Sequence, residues 1–495
     1  MASELSSPPA PVAAPLIEVR SIDWVPDEER HGRLWHQAPL WFLGNFQYFS
    51  IPIGFIGPAM GLSLGWTALA GTLGIVIGSL FMAFHASQGP TLGLPQMIQS
   101  RAQFGYRGVL IPLFATFFTY LAFNVTDQVL LGVGLNSAFG WNANLVAVVV
   151  TIGAVLLAVF GHDWVHKAFR ALLYVSVPLM TIVTIGIMTG HGGGHPSEAQ
   201  YGFSWVAFMA QLAAAAAYNI TYAPYVSDYS RYLPSSTKPR SVIASVFFGA
   251  SGSAIWLIIL GGWLAIRLGA DDPLTGLQTA GNNVIPHLGQ AVALLSALAL
   301  AATMGMNAYG GMLTVLTAVD SVKPIKPTQT ARVITVLVFA VVWFAIGLAI
   351  SKNGAGAVGT VFTALTLMLY LLVPWTAANL MDFFVVRRGH YAITELFKVR
   401  GLYGTWNWRG LTAYAIGFVA EIPFMVLPDL GGWKFVGPVA EAMGEVDIAW
   451  LVGLAVTGVA YVLLTRSLDL AAEQRAEAAS DRALDEALHA GEVTA

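Results

Sequence analysis

The stretch Ala213-Ala214-Ala215-Ala216-Ala217-Tyr218-Asn219-Ile220-Thr221-Tyr222-Ala223-Pro224-Tyr225-Val226-Ser227-Asp228-Tyr229-Ser230-Arg231-Tyr232-Leu233-Pro234 begins as an apolar helix of membrane type. It takes on amide, hydroxyl and aromatic groups halfway and then meets a proline. At bilayer depth such a segment is tolerated only where it faces protein or a water-filled cavity, so it is read first as a binding-site element.

Its surroundings fit that reading. The 495 residues are 56% hydrophobic and only 10% charged, with mean hydropathy +0.67, whereas soluble domains carry about 25% charged residues. The chain is therefore expected to be an all-α polytopic membrane protein. Net charge −3 argues against nucleic acid as a partner. The absence of cysteine excludes disulfides, thiolate metal sites and a cysteine nucleophile. Residues 1–38 are proline-rich and mixed in charge, without the apolar core of a signal peptide, and read as a cytoplasmic lead.

Apolar runs of about 20 residues predict spans near 40–64, 67–87, 108–137, 143–160, 168–189, 204–231, 241–267, 287–319, 331–351, 356–386, 410–428 and 448–465. Alternate loops carry the basic residues, from Arg101 and Arg107 to the group Arg387 through Arg409. By the positive-inside rule both termini lie in the cytoplasm. After Arg466 the Ala/Glu-rich tail is expected to be helical or frayed and solvated.

Two spans are unlike the others. The first, Trp41-Phe42-Leu43-Gly44-Asn45-Phe46-Gln47-Tyr48-Phe49-Ser50-Ile51-Pro52-Ile53-Gly54, has polar groups in its first half and Pro52 and Gly54 at mid-span; the sixth has its own break at Tyr218 and Asn219. Five spans separate them, so they occupy corresponding places in two halves and cross in opposite directions. Paired interrupted spans point to an inverted-repeat transporter with its site at the midplane. The expected divisions are an N-terminal segment 1–38, a first repeat 39–190 (spans one to five), a second repeat 204–387 (spans six to ten), a cytoplasmic loop with two further spans 388–466, and a tail 467–495.

In the third span Tyr120, Asn124 and Asp127 follow helical spacing and share a face. A ring to stack on and an amide to match a donor-and-acceptor edge suit a planar heterocycle; interhelical polar packing is the structural alternative. Asp127 is read as a cation or proton site or as part of a structural network. Asn307 in the eighth span either packs against neighbouring glycines or turns into the cavity, and Glu421 is read as structural. Asp228 with Arg231, Asp320, and Asp382 with Arg387 and Arg388 are candidate gate or loop-anchoring charges, or solvated surface. No enzyme signature is present. His162 and His166 in HDWVH stand four apart but lack a third ligand, so no metal site or cofactor is expected.

The run His85-Ala86-Ser87-Gln88-Gly89-Pro90-Thr91-Leu92-Gly93-Leu94-Pro95-Gln96-Met97-Ile98-Gln99-Ser100-Arg101-Ala102-Gln103-Phe104-Gly105, the segment Ala223 to Pro234, and Asp382 to Tyr391 followed by Tyr403 to Gly410 closely resemble the bacterial purine and cytosine permeases of the first nucleobase:cation symporter family. The likeness covers roughly residues 30 to 465. It implies the five-plus-five inverted-repeat fold of the sodium-coupled leucine transporter, two C-terminal helices, and alternating access. Carried over by position, the substrate residues are Tyr120, Asn124, Tyr218, Asn219, Asn307 and Gln47 or Ser50. The cation would meet backbone carbonyls near Phe46 and Phe49, with Thr303 the one hydroxyl near Ala301 and Ala302. Hydantoin-type members have tryptophan where this chain has Tyr120 and either Tyr218 or Asn219, so substrate identity does not transfer. The resemblance implies a plasma-membrane symporter for a purine, cytosine or related heterocycle, driven by protons or sodium, with no obligate protein partner. The alternatives are a carrier of allantoin, hydantoin or amino acids on the same fold, and a non-transporting receptor.

Overall fold

The computed structural model describes residues 20–194, 200–326, 328–352, 357–427 and 434–489. Parts of the expected lead, of the loops at 191–200 and 429–447, and of the tail lie outside the described residues. The regular structure of the described residues is helical apart from a two-residue strand pair, Val426–Leu427 with Phe435–Val436, and a single bridge between Leu62 and Gly202.

Among the described residues, eight helical stretches are long and apolar enough to cross a bilayer unaided, and up to nine if a bent pair counts as one. They contain α4 (Leu64–Ala86), α5 (Leu110–Phe139), α6 (Ala143–Phe160), α7 (His162–Met188), α10 (Pro239–Ile266), α12 (Leu288–Val322), α13 (Gln329–Lys352) and α14 (Ala357–Met381). The other expected spans are the two interrupted ones and two shorter helices. The first is split into α1 (Gln37–Asn45), α2 (Ser50–Ile53) and α3 (Ile56–Ala59), and the sixth into α8 (Trp205–Ile220) and α9 (Ala223–Ser230). The last two are α15 (Trp408–Glu421) and α16 (Ala449–Thr465), which pack on each other. The protein is an integral, all-α polytopic membrane protein.

Both interruptions fall a few residues from where the sequence places them. In the first span the chain unwinds at Phe46–Phe49, and Ser50–Ile53, expected as the break, forms a helical turn. Asn45 is the last residue of α1; Phe46 follows with φ −93° and ψ 61°. In the sixth, Tyr218 and Asn219 complete the last turn of α8, and the break comes at Thr221 and Tyr222. Pro224 explains the offset: at the start of α9 its missing N–H costs nothing, so it begins a helix there.

The alanine run of α8 has a packing reason. A β-carbon on Gly74 would lie 2.3 Å from the Leu212 carbonyl oxygen and one on Gly78 would lie 2.5 Å from that of Ala216, so α4 and α8 touch backbone to backbone. The first span meets α10 the same way, since a β-carbon on Gly54 would fall 2.1 Å from the Ile258 carbonyl oxygen. Small residues at crossings let dispersion and polar contacts act at short range in lipid, where the hydrophobic effect does not drive association.

Two elements depart from expectation. The loop after α10 contains a helix, α11 (Pro273–Val284), started by Asp272, whose carboxylate accepts from the Thr275 amide at 2.8 Å, and by proline at its first position. The tail is helical, as one of its two expected forms, over α17 (Leu470–His489), which turns 88° from α16; it docks rather than standing free in solvent. Glu473 pairs with Arg387 at 2.6 Å, Glu477 meets His390 at 3.1 Å, and Ser480 accepts from the Thr394 amide at 3.0 Å. The loop charges are anchors too. Arg101 and Asp320 form a buried pair at 2.7 Å, Arg387 also pairs with buried Asp382, Asp228 accepts from the Gln96 amide at 3.0 Å, and Arg231 donates to the Ser21 carbonyl at 2.7 Å.

Candidate functional site

The two breaks face one another in the protein interior, against the third and eighth spans, α5 and α12. Two polar groups form there, joined by aromatic rings.

The first group belongs to the break of the first span. Gln47 folds back so that its Oε1 accepts from the Phe49 amide at 2.5 Å, while its Nε2 donates to the Tyr218 hydroxyl at 2.7 Å. The Ser50 hydroxyl lies 2.5 Å from the Asn45 carbonyl oxygen and 3.0 Å from the Tyr218 hydroxyl. The break is thus held by its own side chains and by the end of α8. The Tyr48 amide donates to the Ser296 carbonyl at 3.2 Å, tying the unwound segment to α12.

The second group lies between α5, α9 and α12. Asn307 Nδ2 donates to Asn124 Oδ1 at 2.9 Å and to Asp127 Oδ2 at 3.1 Å, and its Oδ1 accepts from the Tyr225 hydroxyl at 3.0 Å. All four side chains are buried. Among the described residues, three polar atoms on this face of α5 have no partner: the Tyr120 hydroxyl, Asn124 Nδ2 and Asp127 Oδ1. A buried polar atom left unpaired costs about 1–3 kcal/mol. Three on one helix face call for a partner that the chain itself does not supply.

Aromatic rings bridge the groups. Tyr218 stacks on Phe49 with centroids 5.3 Å apart and planes 11° from parallel, and Phe49 meets Phe123 edge-on at 5.4 Å. Phe123 stacks on Tyr222 at 5.5 Å and 17°, and Tyr120 lies 4.3 Å from Tyr225. Gly310 of α12 makes room for the Tyr120 ring: a β-carbon there would lie 2.3 Å from Cε1.

The expected residues therefore divide. Tyr120, Asn124, Asp127 and Asn307 come together; Gln47, Ser50 and Tyr218 come together beside them. Asn219 joins neither. It points about 100° round α8 from Tyr218, where its Oδ1 accepts from Asn45 at 2.8 Å and its Nδ2 donates to Ser79 at 2.7 Å, bridging the first and second spans. The ring facing Tyr120 is Tyr225 rather than Tyr218, because the break falls later than expected. Of the cation candidates, Phe46 and Phe49 bound the unwound segment, and Thr303 donates its hydroxyl back to the Ala299 carbonyl at 3.0 Å. Asp127 is held by Asn307, one helical turn past Thr303.

Sequence reading passed over Phe123, Tyr222, Tyr225, Asn45 and Ser79. A signal for two of them was available: Tyr218, Tyr222 and Tyr225 recur at four and then three residues, one face of a helix drawn through the break. Nothing local marked Ser79, whose role depends on the crossing of α4 and α8.

A cavity of about 100 Å³ reaches Ala213, Ala214 and Ala217, one residue before Tyr218, and is bordered by Tyr370 and Asp447, which are hydrogen-bonded to each other.

Comparison with known proteins agrees with this architecture. Residues 24–453 match the model of the family described as permeases for cytosine/purines, uracil, thiamine and allantoin. The chain is 34% identical over 461 residues to the putative purine-cytosine permease YxlA of Bacillus subtilis, covering 91% of this chain and 96% of that one. It is 23% identical over 396 residues to the hydantoin permease of Microbacterium maritypicum, covering 72% and 74% of the two chains. Among solved structures it is similar to Mhp1, a nucleobase-cation-symport-1 family transporter, in a closed conformation with bromovinylhydantoin bound. The TM-score is 0.69 at 19% identity, over 92% of this chain and 98% of that one. The fold is the one that Mhp1 has, and the protein is a transporter, not an enzyme. Two interrupted helices meeting at buried aromatic and amide groups, with a family match over most of the chain, lead to one conclusion: this chain belongs to the cytosine/purine permease family.

Proposed function

We propose that this permease imports a nucleobase or close nitrogen heterocycle, a purine or cytosine, by symport with a cation through alternating access. One observation carries the proposal: the paired rings Tyr120 with Tyr225 and Phe123 with Tyr222 share a buried cluster with an unpaired donor, Asn124 Nδ2, and an unpaired acceptor, Asp127 Oδ1. A heterocycle offers two flat faces and an edge that alternates donor and acceptor, which is what such a cluster would satisfy.

Tyr120, Asn124 and Asn307 are the proposed core of the substrate site, with Tyr225, Tyr222 and Phe123 as further ring surfaces and Tyr218, Gln47 and Ser50 bounding it from the first span. Asn219, engaged by Asn45 and Ser79, would act by holding the end of α8 in place. Carbonyls of the Phe46–Phe49 segment with Thr303 would serve sodium, and Asp127 would serve a proton. The unpaired oxygen of buried Asp127 favours the proton. The reading includes the cell membrane as the site of action, both termini in the cytoplasm, and repeats at 39–190 and 204–387 followed by two helices.

The test is uptake of labelled cytosine and adenine into proteoliposomes with proton and sodium gradients imposed separately. Accumulation driven by the proton gradient, reduced by Asn124→Ala in normally inserted protein, is the expected result. Accumulation of neither base under either gradient would overturn the substrate assignment, and accumulation under sodium alone would overturn the role of Asp127.

A further inference from the structure

A second cluster of side chains lies outside the central one, joined to it through Tyr229 and Trp41, where residues 20–36 lie across one face of the helices. This segment is strapped down at several points: Arg30 donates to the Pro90 carbonyl at 2.6 Å, the Gly32 amide donates to the Tyr232 carbonyl at 2.8 Å, and Ser21 accepts from Arg231. Between Arg30 and Gly32, His31 reaches the first turn of α7, where the HDWVH motif begins. Its Nε2 lies 3.3 Å from Asp163 Oδ1, and the same oxygen lies 2.9 Å from His162 Nδ1. The three ligand-type atoms lie within 4.8 Å of one another. His166, one turn on, borders the same cavity of about 170 Å³, its ring 4.5 Å from that of His162.

The protonation pattern adds a second observation. His31 Nδ1 lies 2.9 Å from the Glu29 carbonyl oxygen, a pure acceptor, so the neutral ring carries its proton there and turns the lone pair of Nε2 toward Asp163. A lone pair facing a carboxylate oxygen is repulsive unless a cation lies between them or the ring takes a second proton. An imidazole whose other nitrogen donates to a backbone carbonyl is also the usual arrangement of a metal-ligating histidine. Of the cations that line this cavity, Lys167 lies 5.0 Å above the Trp164 ring and Arg170 extends to His36 and the Trp35 ring, while Arg33 is exposed.

We propose that His31, His162 and Asp163 form a site for a divalent transition-metal ion of the zinc class, and that the bound ion pins the 20–36 strap to the start of α7. Two imidazoles and a carboxylate are ligands that zinc accepts, with water or His166 completing the set. HDWVH alone lacked a third ligand; folding supplies it from 131 residues earlier in the chain.

The full-length protein, purified in detergent with a tag free of histidine, is titrated calorimetrically with Zn²⁺ and by absorbance with Co²⁺. About one ion per chain is expected. His31→Ala and Asp163→Asn, at exposed and half-exposed positions, weaken binding at least about tenfold, and His390→Ala leaves it unchanged. Zn²⁺ should also slow amide exchange across residues 20–36 in the parent protein but not in His31→Ala. Absence of stoichiometric binding, or binding insensitive to both substitutions, overturns the site. Binding without slower exchange overturns the pinning. Elevated exchange throughout a variant without metal identifies misfolding; the other substitution then decides.

Discussion

Asn307 is the best place to test the central cluster, because one amide serves three helices. Replacing it with alanine removes the donor to Asn124 Oδ1 and Asp127 Oδ2 and the acceptor for the Tyr225 hydroxyl. Interhelical hydrogen bonds in membranes average about 0.6 kcal/mol, so three account for roughly 2 kcal/mol. Stranding Asp127, already without a partner at Oδ1, adds part of the about 1–3 kcal/mol cost of an unsatisfied buried group. The expected loss is therefore about 2–4 kcal/mol. Reversible unfolding in mixed micelles measures it, and a double-mutant cycle with Tyr225→Phe should return a coupling near one bond, about 0.6 kcal/mol. Nucleobase uptake by protein that still inserts should fall at least tenfold, because the substitution also releases Asn124. A stability change below about 0.5 kcal/mol would refute the shared-amide geometry on which that estimate rests.

Gly310→Ala places a β-carbon 2.3 Å from the Tyr120 ring; overpacking of about 1–3 kcal/mol should displace the ring and raise the KM for uptake, with little effect on membrane insertion. Arg387→Ala removes the cation beside Asp382, which keeps hydrogen bonds from Gln103, Tyr391 and Tyr461, and releases Glu473, so a loss of about 1.5–3 kcal/mol and faster proteolysis within 470–489 are expected; unchanged cleavage would show that the tail docks without this arginine. In the loop, burial pushes the Glu395 carboxyl up, but Lys398 and the Leu402 amide outweigh it and hold it below its ordinary value. Its contribution is present above the ordinary carboxylate range and lost as pH falls through the folded value; Glu395→Gln should flatten that part of an acid stability profile.

The membrane class and the presence of two interrupted helices were legible in the sequence because each depends on local composition. Twenty apolar residues must cross a bilayer, and proline with polar groups must break a helix wherever the segment lies. Position along a helix was less legible. Pro224 starts α9 rather than ending α8, so the break moved three residues past Tyr218, and Tyr225 became the ring opposite Tyr120.

What the sequence could not decide is which polar side chains face one another. Asn124 and Asn219 look alike in sequence, each an amide in an apolar helix. Tertiary structure turns Asn124 to Asn307, with its NH2 group left unpaired, and turns Asn219 to Asn45 and Ser79, with both ends of its amide used. The difference arises from the rotation of α5 and α8, and that rotation is set by long-range contacts such as the close approach of Gly74 and Gly78 to the α8 backbone. In the same way His31 meets Asp163 only because a strap residue and the first turn of a distant helix end at one place. Local chemistry determined what each segment is; the helix crossings decided which side chains it shares.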